Sequence, residues 1–474
     1  MHIGRINMND IKKFAKASGV YFFGNVLMKI ITFLMLPLYT KYINPADYGT
    51  YDLYIAYVTF LCSVLFLDIW SAIMRYMFAD NKNKEKPLNS GIIIFIISSL
   101  LYTILVFIIG NIMNVPYLFL VYLYGILMNV QNLFGHIARG YENNTLYSLS
   151  GIISTFITVI SNIVLIVLLH FDYSSLYISS CIGFFINSLI IFFGSKLYQK
   201  FNKKYFDTIL FIDIFKYSLP LCLNSVAYWF LTSYNKVVIS NKLSSYDNGL
   251  YAIAGKFSVM LTLVTSCFQM AWQELSFSKA SLKTENLGDF YTKAIDLYFK
   301  FLFIGMAILL PVIYIIFPYM TDSSYSDACN LVPMYLLATI FSILSTFLGS
   351  VFGTIKETKK IFTTTVWGSI VNVLTINILV RHVGVNSASI SLFLGFFVTV
   401  VMRIRLLKKF IPLHINLNKI ARYFVLIVIS MIAFYSNNLT INILNLLLMV
   451  IISLYVMKND IVLVINSFMN KNKS

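Results

Sequence analysis

The segment that decides the fold is 18–76, which reads SGVYFFGNVLMKIITFLMLPLYTKYINPADYGTYDLYIAYVTFLCSVLFLDIWSAIMRY. It contains two apolar runs, 20–42 and 51–76, on either side of a polar corner at 44–49. Each run is long enough for a helix that crosses a bilayer, which needs roughly 20 residues. The segment therefore predicts two membrane-spanning helices joined by a tight turn.

Part of this segment recurs further along the chain at a constant offset. Lys16, Ser18, Asp47, Gly49 and Tyr51 correspond to Lys216, Ser218, Asp247, Gly249 and Tyr251. Chance identity in an apolar chain is the alternative, but the Asp-x-Gly-x-Tyr match at two corresponding corners favours a repeat. The pattern predicts two related halves in the same orientation, as in transporters with parallel repeats.

The composition indicates an integral membrane protein. Of the 474 residues, 59% are hydrophobic and 12% are charged, which is more apolar surface than a soluble fold of this size could bury. Counting roughly 20 residues per crossing predicts an all-α fold of about 14 transmembrane helices. The expected spans are 19–43, 51–76, 90–113, 116–137, 148–169, 176–196, 214–239, 250–275, 293–317, 329–354, 361–381, 387–407, 420–436 and 440–457.

The distribution of positive charge predicts the topology. Lys and Arg collect in cytoplasmic loops of membrane proteins, which explains the net charge of +17 without a nucleic-acid partner. The loops on the side of the N-terminus hold most of these residues, Arg403 among them. The opposite side has only Lys41, Lys242 and Arg381. Both termini are therefore expected in the cytoplasm.

Charged residues inside the predicted spans are the candidate functional residues, because such charges are costly unless they face protein or water. Lys29 and Asp68 are expected at similar depth on neighbouring helices. They could form an ion pair, or Lys29 could face a water-filled cavity and contact an anionic substrate. Lys256 is interpreted as a cavity residue. Arg75 and Lys216 lie near the interface, where the alternative to substrate contact is snorkelling to headgroups.

Other polar residues in the spans are weaker candidates for functional residues. Asp68, Glu274 and Asp296 are candidates for charge pairing or for binding a coupling ion, and Asp296 is spaced to pair with Lys300. Lys236 is explained by snorkelling near the end of its span. Three asparagines could hydrogen-bond sugar hydroxyls, although contact between helices is their commoner use. They are Asn25, Asn224 and Asn235.

Several kinds of chemistry are not expected. The cysteines and histidines have no metal-binding spacing, and no phosphate-binding loop is present. We therefore expect no cofactor and no covalent chemistry, while H⁺ or Na⁺ as a coupling ion stays open.

Short motifs carry a resemblance to a known family. The stretch LPLYTKYINPADYGTY at 36–51 is similar to the first-span signature of bacterial polysaccharide transporters. These are the O-antigen and capsule repeat-unit flippases of the multidrug/oligosaccharidyl-lipid/polysaccharide (MOP) exporter superfamily. Further positions of that family resemble Leu67-Asp68 with Arg75-Tyr76, and Tyr251-Ala252 with Lys256-Phe257. The layout of about 14 spans with cytoplasmic ends is also similar.

The resemblance implies a fold and a function. The fold would be two pseudo-symmetric six-helix bundles, 1–200 and 201–410, around a V-shaped central cavity, with two further helices and a cytoplasmic tail in 411–474. The protein would flip an undecaprenyl-diphosphate-linked oligosaccharide to the outer leaflet of the bacterial cytoplasmic (inner) membrane, for O-antigen, capsule or another surface polysaccharide. Membrane lipids and other polysaccharide-assembly proteins would be its partners. The cavity cations that replace the hydration of the diphosphate would be Lys29, Arg75, Lys216 and Lys256.

The same residues bear on three alternatives to this function. A multidrug exporter of the superfamily should favour carboxylates for its cationic substrates, and the excess of Lys and Arg inside the spans argues against it. A lipid II flippase stays open. A membrane polysaccharide polymerase or ligase would need a large outer loop, whereas the longest predicted outer loops, 241–248 and 318–327, are short.

Overall fold

The computed structural model describes residues 26–79, 83–263, 265–266, 272, 287–355 and 357–471, with side chains as far as residue 458. This part of the chain is almost entirely helical and contains no β-strand. The predicted all-α fold is therefore confirmed.

The helices are numbered α1 to α19 in chain order. The first ten are α1 (26–34), α2 (Leu36–Tyr42), α3 (Pro45–Leu65), α4 (Ile69–Ala79), α5 (Glu85–Ile112), α6 (Leu118–Gly140), α7 (Asn144–Ile163), α8 (Ser174–Gly194), α9 (Leu197–Lys200) and α10 (Thr208–Thr232). The others are α11 (Tyr234–Lys242), α12 (Ser245–Lys256), α13 (258–263), α14 (Leu287–Met320), α15 (Val332–Thr354), α16 (Thr358–Val383), α17 (Asn386–Leu407), α18 (Leu417–Tyr435) and α19 (Leu439–Lys471). A π-helical turn (Val164–Leu168) extends α7, and two 3₁₀ segments are Lys203–Tyr205 and Ser323–Leu331.

The number of spans agrees with the sequence as far as the described residues reach. They include 11 helices long and apolar enough to cross a membrane, or 12 spans if the bent pair α3 and α4 is one span. These match all the expected spans except the first and the eighth, which fall partly on residues outside the described ranges. The total of about 14 stays a prediction.

The second span is not the continuous helix that the sequence predicted. It is bent by 45° between α3 and α4. Leu67 and Asp68 at the break have positive φ values of 57° and 52°, which an α-helix cannot accommodate. The hydroxyl of Ser71 donates to the Asp68 carboxylate over 3.0 Å, so Asp68 bonds locally at the start of α4.

The first and seventh spans are broken near their ends in the same way. Residue Met35 separates α1 from α2, and Ser233 separates α10 from α11. Pro37 lies in the first turn of α2, where its missing N–H and its ring favour a helix start over continuation. Each break is followed by a short helix that leads into one of the two repeated corners.

The two corners have the same capping geometry. The Asp47 N–H donates to the side-chain oxygen of Asn44 over 2.9 Å, and the Asp247 N–H donates to the Ser244 hydroxyl over 3.1 Å. These N-caps satisfy a free donor at the start of α3 and of α12. The Asp-x-Gly-x-Tyr repeat thus marks two equivalent helix starts.

The corners also pack against each other. A Cβ atom on Gly49 would overlap the carbonyl oxygen of Ser245, and one on Gly249 would overlap the carbonyl oxygen of Pro45. The Asn248 side-chain amide donates to the Gly49 carbonyl over 2.8 Å. Glycine at both positions therefore lets the backbones of α3 and α12 touch. We call the end of the bundle where 44–49 meets 244–249 the closed end.

The remaining helices surround this contact. In the first part of the chain α8 packs against α6 and α7, and in the later part α17 packs against α15 and α16. Helices α18 and α19 both pack against α14. The division of the chain at residues 200 and 410 stays a prediction.

Substituting Gly49 tests the backbone contact. Gly49→Ala should open the closed end, because the added methyl group overlaps backbone atoms that cannot rotate away. We expect a cysteine at Ser240, whose hydroxyl oxygen is buried in α11, to react at least several-fold faster with a membrane-impermeant maleimide. The measurement uses a chain in which the native cysteines are replaced.

Gly305→Ala is the matched control, since a Cβ atom there meets nothing within 4 Å. Equal labelling rates in the two alanine variants would contradict a closed end that depends on Gly49.

Candidate functional site

The candidate site lies at the contact between the helices before residue 200 and those after it. We call the contact of α1–α5 with α10–α13 the seam. Trp229 donates its indole N–H to the Ala56 carbonyl over 2.8 Å, and the thiol of Cys222 lies 3.7 Å from the Val64 carbonyl oxygen. The second span therefore follows α10 for much of its length.

An ion pair joins the two sides of the seam near the closed end. The Lys236 ammonium of α11 is 2.9 Å from a carboxylate oxygen of Asp52 in α3, and the exposed fractions of the two side chains are 23% and 16%. The second carboxylate oxygen of Asp52 is buried and has no hydrogen-bond partner among the described residues. Because so little water reaches the pair, either charge alone would be costly there.

This pair was not predicted from the sequence, and Asp52 was not among the candidate residues. Snorkelling as the explanation of Lys236 is wrong, because Lys236 contacts protein. The available signal was the carboxylate itself, directly after the Asp-x-Gly-x-Tyr motif and inside an apolar run. The partner could not be found, since it lies on the other side of the seam.

Five tyrosines also lie close enough to the Asp52 carboxylate to interact with it electrostatically: Tyr48, Tyr124, Tyr177, Tyr251 and Tyr335.

Lys256 lies deeper in the seam, beside a small pocket. The pocket has a volume of about 50 Å³, enough for a few water molecules. Lys256 is half-buried and makes no hydrogen bond or close ion pair with the part of the chain that the structure describes. The Asp52 carboxylate lies close enough to attract this ammonium electrostatically without forming a close ion pair, so the ammonium can still bind a second anion. The other lining residues are Thr32, Phe33, Leu36, Tyr39 and Val259.

Lys29 is also at the seam but does not pair with Asp68. Its ammonium donates to the Ser266 hydroxyl over 3.1 Å, and Asp68 instead accepts from Ser71. The ion pair considered from the sequence is therefore wrong, because the break in the second span turns Asp68 toward its own helix. One turn above Lys29, the rings of Phe33 and Phe257 pack edge to face at 5.8 Å.

The other two candidate cations lie toward the end opposite the closed end. The Arg75 guanidinium donates to the Tyr217 hydroxyl over 2.7 Å and lies 4.4 Å from the centre of its ring. Arg75 and Lys216 are both exposed. Arg75 thus binds α10 across the seam, and substrate contact by either residue stays a prediction.

The asparagines and the remaining acidic candidates have different surroundings. Asn235 is fully buried and donates to the carbonyl of Ala388 over 2.9 Å and to Asn372 over 3.2 Å, so it joins α11 to α16 and α17. One oxygen of Asn224 and one of Asp296 are buried without a hydrogen-bond partner among the described residues. Lys300 donates to the Val456 carbonyl over 2.6 Å. Asn25 and Glu274 lie outside the described residues.

Arg403 is a buried cation rather than a loop residue as the sequence predicted. It lies inside α17 and donates to Thr364 over 3.0 Å and to Thr365 over 3.1 Å. Its guanidinium also bonds the carbonyls of Ser345 and Ile361. Neutral acceptors therefore satisfy its donors within the later helices.

A 3₁₀ segment completes the closed end. Tyr325 of Ser323–Leu331 donates its hydroxyl to the Ile43 carbonyl over 2.8 Å. Asp322 caps this segment by accepting the Ser324 N–H over 3.0 Å, and this bond lowers the pKa of the exposed Asp322 carboxyl. The cap is therefore present above the ordinary carboxyl pKa and is lost as the pH falls through the lowered value.

No group of three or more His, Cys, Asp or Glu side chains in the described ranges is arranged to hold a metal ion. The arrangement at the seam suits a different task. Among the described residues, Lys256 lies without a hydrogen bond or close ion pair at a small pocket where the two groups of helices meet, an arrangement that suits the binding of an anion between them.

The fold places the protein in a class. It is similar to the inward-facing conformation of a multidrug resistance MATE family transporter of the MOP superfamily, with a TM-score of 0.62 and 16% identity, covering 88% of this chain and 96% of that one. It is also similar to the lipid II flippase MurJ in an inward closed conformation, with a TM-score of 0.68 and 17% identity, covering 94% and 100%. The molecule has the fold of MOP superfamily transporters.

Similarity in sequence to known proteins identifies the family. The model of a family described as polysaccharide biosynthesis protein matches residues 14–272, more than half of the chain. A curated relative, Lsg locus putative protein 1 of Haemophilus influenzae, is 22% identical over 274 residues, which cover 55% of this chain and 65% of that protein. The chain belongs to the polysaccharide biosynthesis protein family, which confirms the resemblance seen in the motifs.

Breaking the ion pair at the closed end tests its role in the seam. Lys236→Met leaves the Asp52 carboxylate unpaired and should lower the free energy of unfolding by about 3 kcal/mol. Adding Asp52→Asn should restore part of that loss, with a coupling free energy of about 1–3 kcal/mol in a double-mutant cycle. Unfolding in a denaturing detergent gives these values.

Lys86→Met is the control, because Lys86 and its partner Asp207 have exposed fractions of 46% and 32% and such pairs contribute about 1 kcal/mol or less. Additive effects of Asp52→Asn and Lys236→Met would show that the pair does not stabilise the seam.

Proposed function

We infer that this protein is a flippase, and we propose undecaprenyl-diphosphate-linked oligosaccharide as its substrate, for O-antigen, capsule or another surface polysaccharide. The observation that carries the proposal is Lys256, whose ammonium lies in the seam without a hydrogen-bond partner among the described residues. Membership of the polysaccharide biosynthesis protein family supports the kind of cargo.

The chemical requirement is the transfer of a diphosphate through a slab of low dielectric constant. Removing an anion from water costs many kcal/mol unless cations and hydrogen-bond donors replace its hydration. Lys256 and Lys29 lie on facing helices of the seam and would supply two positive charges to the headgroup. The hydrocarbon tail needs no such site, because it can stay in the bilayer throughout.

Arg75 and Lys216 would act earlier. Both are exposed toward the end opposite the closed end, where an anionic headgroup would first meet the protein. Arg75 already contacts Tyr217, so a diphosphate would share or replace that hydrogen bond. The headgroup would then pass from these two cations to the deeper pair.

The closed end would be the outer gate. The excess of Lys and Arg in the loops at the other end suggests that this other end, with both termini, faces the cytoplasm. Opening of the closed end would require the Gly49–Gly249 contact and the Asp52–Lys236 pair to separate. Alternating opening of the two ends would then move the headgroup between leaflets.

Energy coupling would act on a carboxylate that is protonated or binds Na⁺. Asp68, Glu274 and Asp296 were the candidates from the sequence, and Asp52 joins them because its carboxylate lies at the closed end. Neutralising Asp52 would weaken its bond to Lys236 and favour opening. Lipid II is the competing cargo, since its diphosphate would meet the same cations.

Replacement of Lys256 tests the substrate site. Lys256→Gln removes the charge and keeps an unbranched polar side chain that is one atom shorter, so we expect surface polysaccharide to fall at least tenfold at unchanged protein level. Lys256→Arg should restore most of it. The measurement is complementation of a strain that lacks this gene, with polysaccharide detected on the cell surface.

The matched control is Lys242→Gln, because Lys242 is exposed and bonds only Asn377 among the described residues. Normal polysaccharide in the Lys256→Gln strain would remove Lys256 from the mechanism, and rescue of a lipid II flippase deletion would identify the competing cargo.

A further inference from the structure

We propose that a second, apolar cavity at the seam binds the hydrocarbon chain of a bilayer phospholipid, and that this chain stabilises the closed end. The cavity lies between α3, α5 and α6 on one side and α10 and α11 on the other. Its volume is about 400 Å³. That is the size of a ligand pocket in other proteins, roughly 300–1,000 Å³.

The lining determines the chemistry of the occupant. Side chains such as Phe60, Leu61, Val106, Val121 and Phe230 form the walls, which expose almost no polar atoms. Water is unfavourable in such a space, because it finds no hydrogen-bond partners there. The cavity therefore suits a hydrocarbon and offers nothing to a headgroup or a sugar.

The mouth of the cavity opens where lipid is expected. Ile109 and Met113 line it and have exposed fractions of 37% and 52%. Their neighbours Ile108 and Ile112 are exposed large apolar residues outside the lining. Since α5 is a membrane span, this exposed apolar face meets acyl chains, so a chain can enter sideways from the bilayer.

The depth of the cavity selects the leaflet. Its walls include the last two turns of α5 and the first turn of α6, which join at the closed end. Two turns of helix cover about 11 Å, less than the roughly 15 Å of one leaflet's hydrocarbon. The occupant therefore comes from the leaflet at the closed end.

A resident phospholipid fits better than the carried lipid. The pocket beside Lys256 is formed by α1, α2, α12 and α13, and the lining of the two cavities has no residue in common. Binding of a headgroup at Lys256 therefore does not by itself place a hydrocarbon chain in the apolar cavity. Phospholipids, in contrast, surround its mouth at all times.

The bound acyl chain would act on the conformation of the protein, because the walls of the cavity come from both sides of the seam. Trp229 and Val237 belong to the later helices, and Tyr57 and Val58 belong to α3. Separation of α3 from α10 and α11 would open the cavity, which would expose the acyl chain to solvent or leave a void. Binding to the closed state alone shifts the equilibrium toward that state.

Quenching of Trp229 tests the site. The full chain carrying Trp70→Phe, Trp272→Phe and Trp367→Phe has Trp229 as its one fluorophore of this type. In vesicles of phosphatidylcholine with dibrominated acyl chains, we expect at least a twofold loss of its emission, although its side chain is buried. No loss of emission would overturn the proposal.

Two further variants distinguish quenching by lipid inside the cavity from quenching by lipid on the outer surface of the protein. Ile109→Phe with Val237→Phe fills the cavity and should remove at least half of the quenching. Ile108→Phe with Ile112→Phe, on the same helix but outside the lining, should leave it unchanged. Equal quenching in both double variants, or quenching that appears only with a brominated polyprenyl phosphate, would overturn the proposal.

Two measurements that do not use tryptophan fluorescence give independent results. Native mass spectrometry should show one retained phospholipid, which the single substitution Ile109→Phe removes. Stripping of lipid should raise maleimide labelling of Ser240→Cys at least threefold, and added phosphatidylcholine should reverse the increase. A chain without retained lipid, or labelling that is independent of lipid, would contradict the site or its effect on the closed end.

Discussion

The contact on which the structure depends is the backbone approach of α3 and α12 at Gly49 and Gly249. Neither glycine can accept a side chain without overlap with the opposite backbone. This approach brings Asn248 to the Gly49 carbonyl and Asp52 to Lys236. A small change in the separation of the two corners would break these polar contacts together. The seam therefore has the properties of a two-state contact rather than a continuously adjustable one.

The charges inside the helix bundle fall into three groups with different physical roles. Asp52 and Lys236 neutralise each other across the seam, and Arg403 is satisfied by neutral acceptors inside the later helices. Lys256 has neither a hydrogen bond nor a close ion pair among the described residues. A cation kept free at such depth is costly, and an anionic headgroup that crosses the same region offsets that cost. The cost of the unpaired cation and the cost of the desolvated diphosphate are both reduced when the two meet, which explains why a flippase for a diphosphate would retain Lys256.

Much of the fold could be predicted from the sequence, because span length and polar corners are local properties. The repeated Asp-x-Gly-x-Tyr motif indicated two related corners, and twelve spans lie where apolar runs placed them. Helices α3 and α12 nevertheless begin at Pro45 and Ser245, before the predicted starts at 51 and 250, because the corner residues cap and continue these helices. The pairing of charges could not be predicted. Lys29 bonds Ser266, Lys236 bonds Asp52 and Arg403 lies inside the bundle. Each depends on which residues distant in sequence meet across a helix contact, and on a break at Asp68 that hydropathy does not reveal.

The most direct measurement of the central claim uses purified protein in sealed vesicles that contain an undecaprenyl-diphosphate-linked oligosaccharide in both leaflets. An added glycosidase reaches only sugars in the outer leaflet of the vesicle. With this protein in the membrane, the cleaved fraction should rise over time from the outer-leaflet share toward all of the substrate. A cleaved fraction that stays at the outer-leaflet share, with folded protein and a permissive ion gradient in place, would contradict the account.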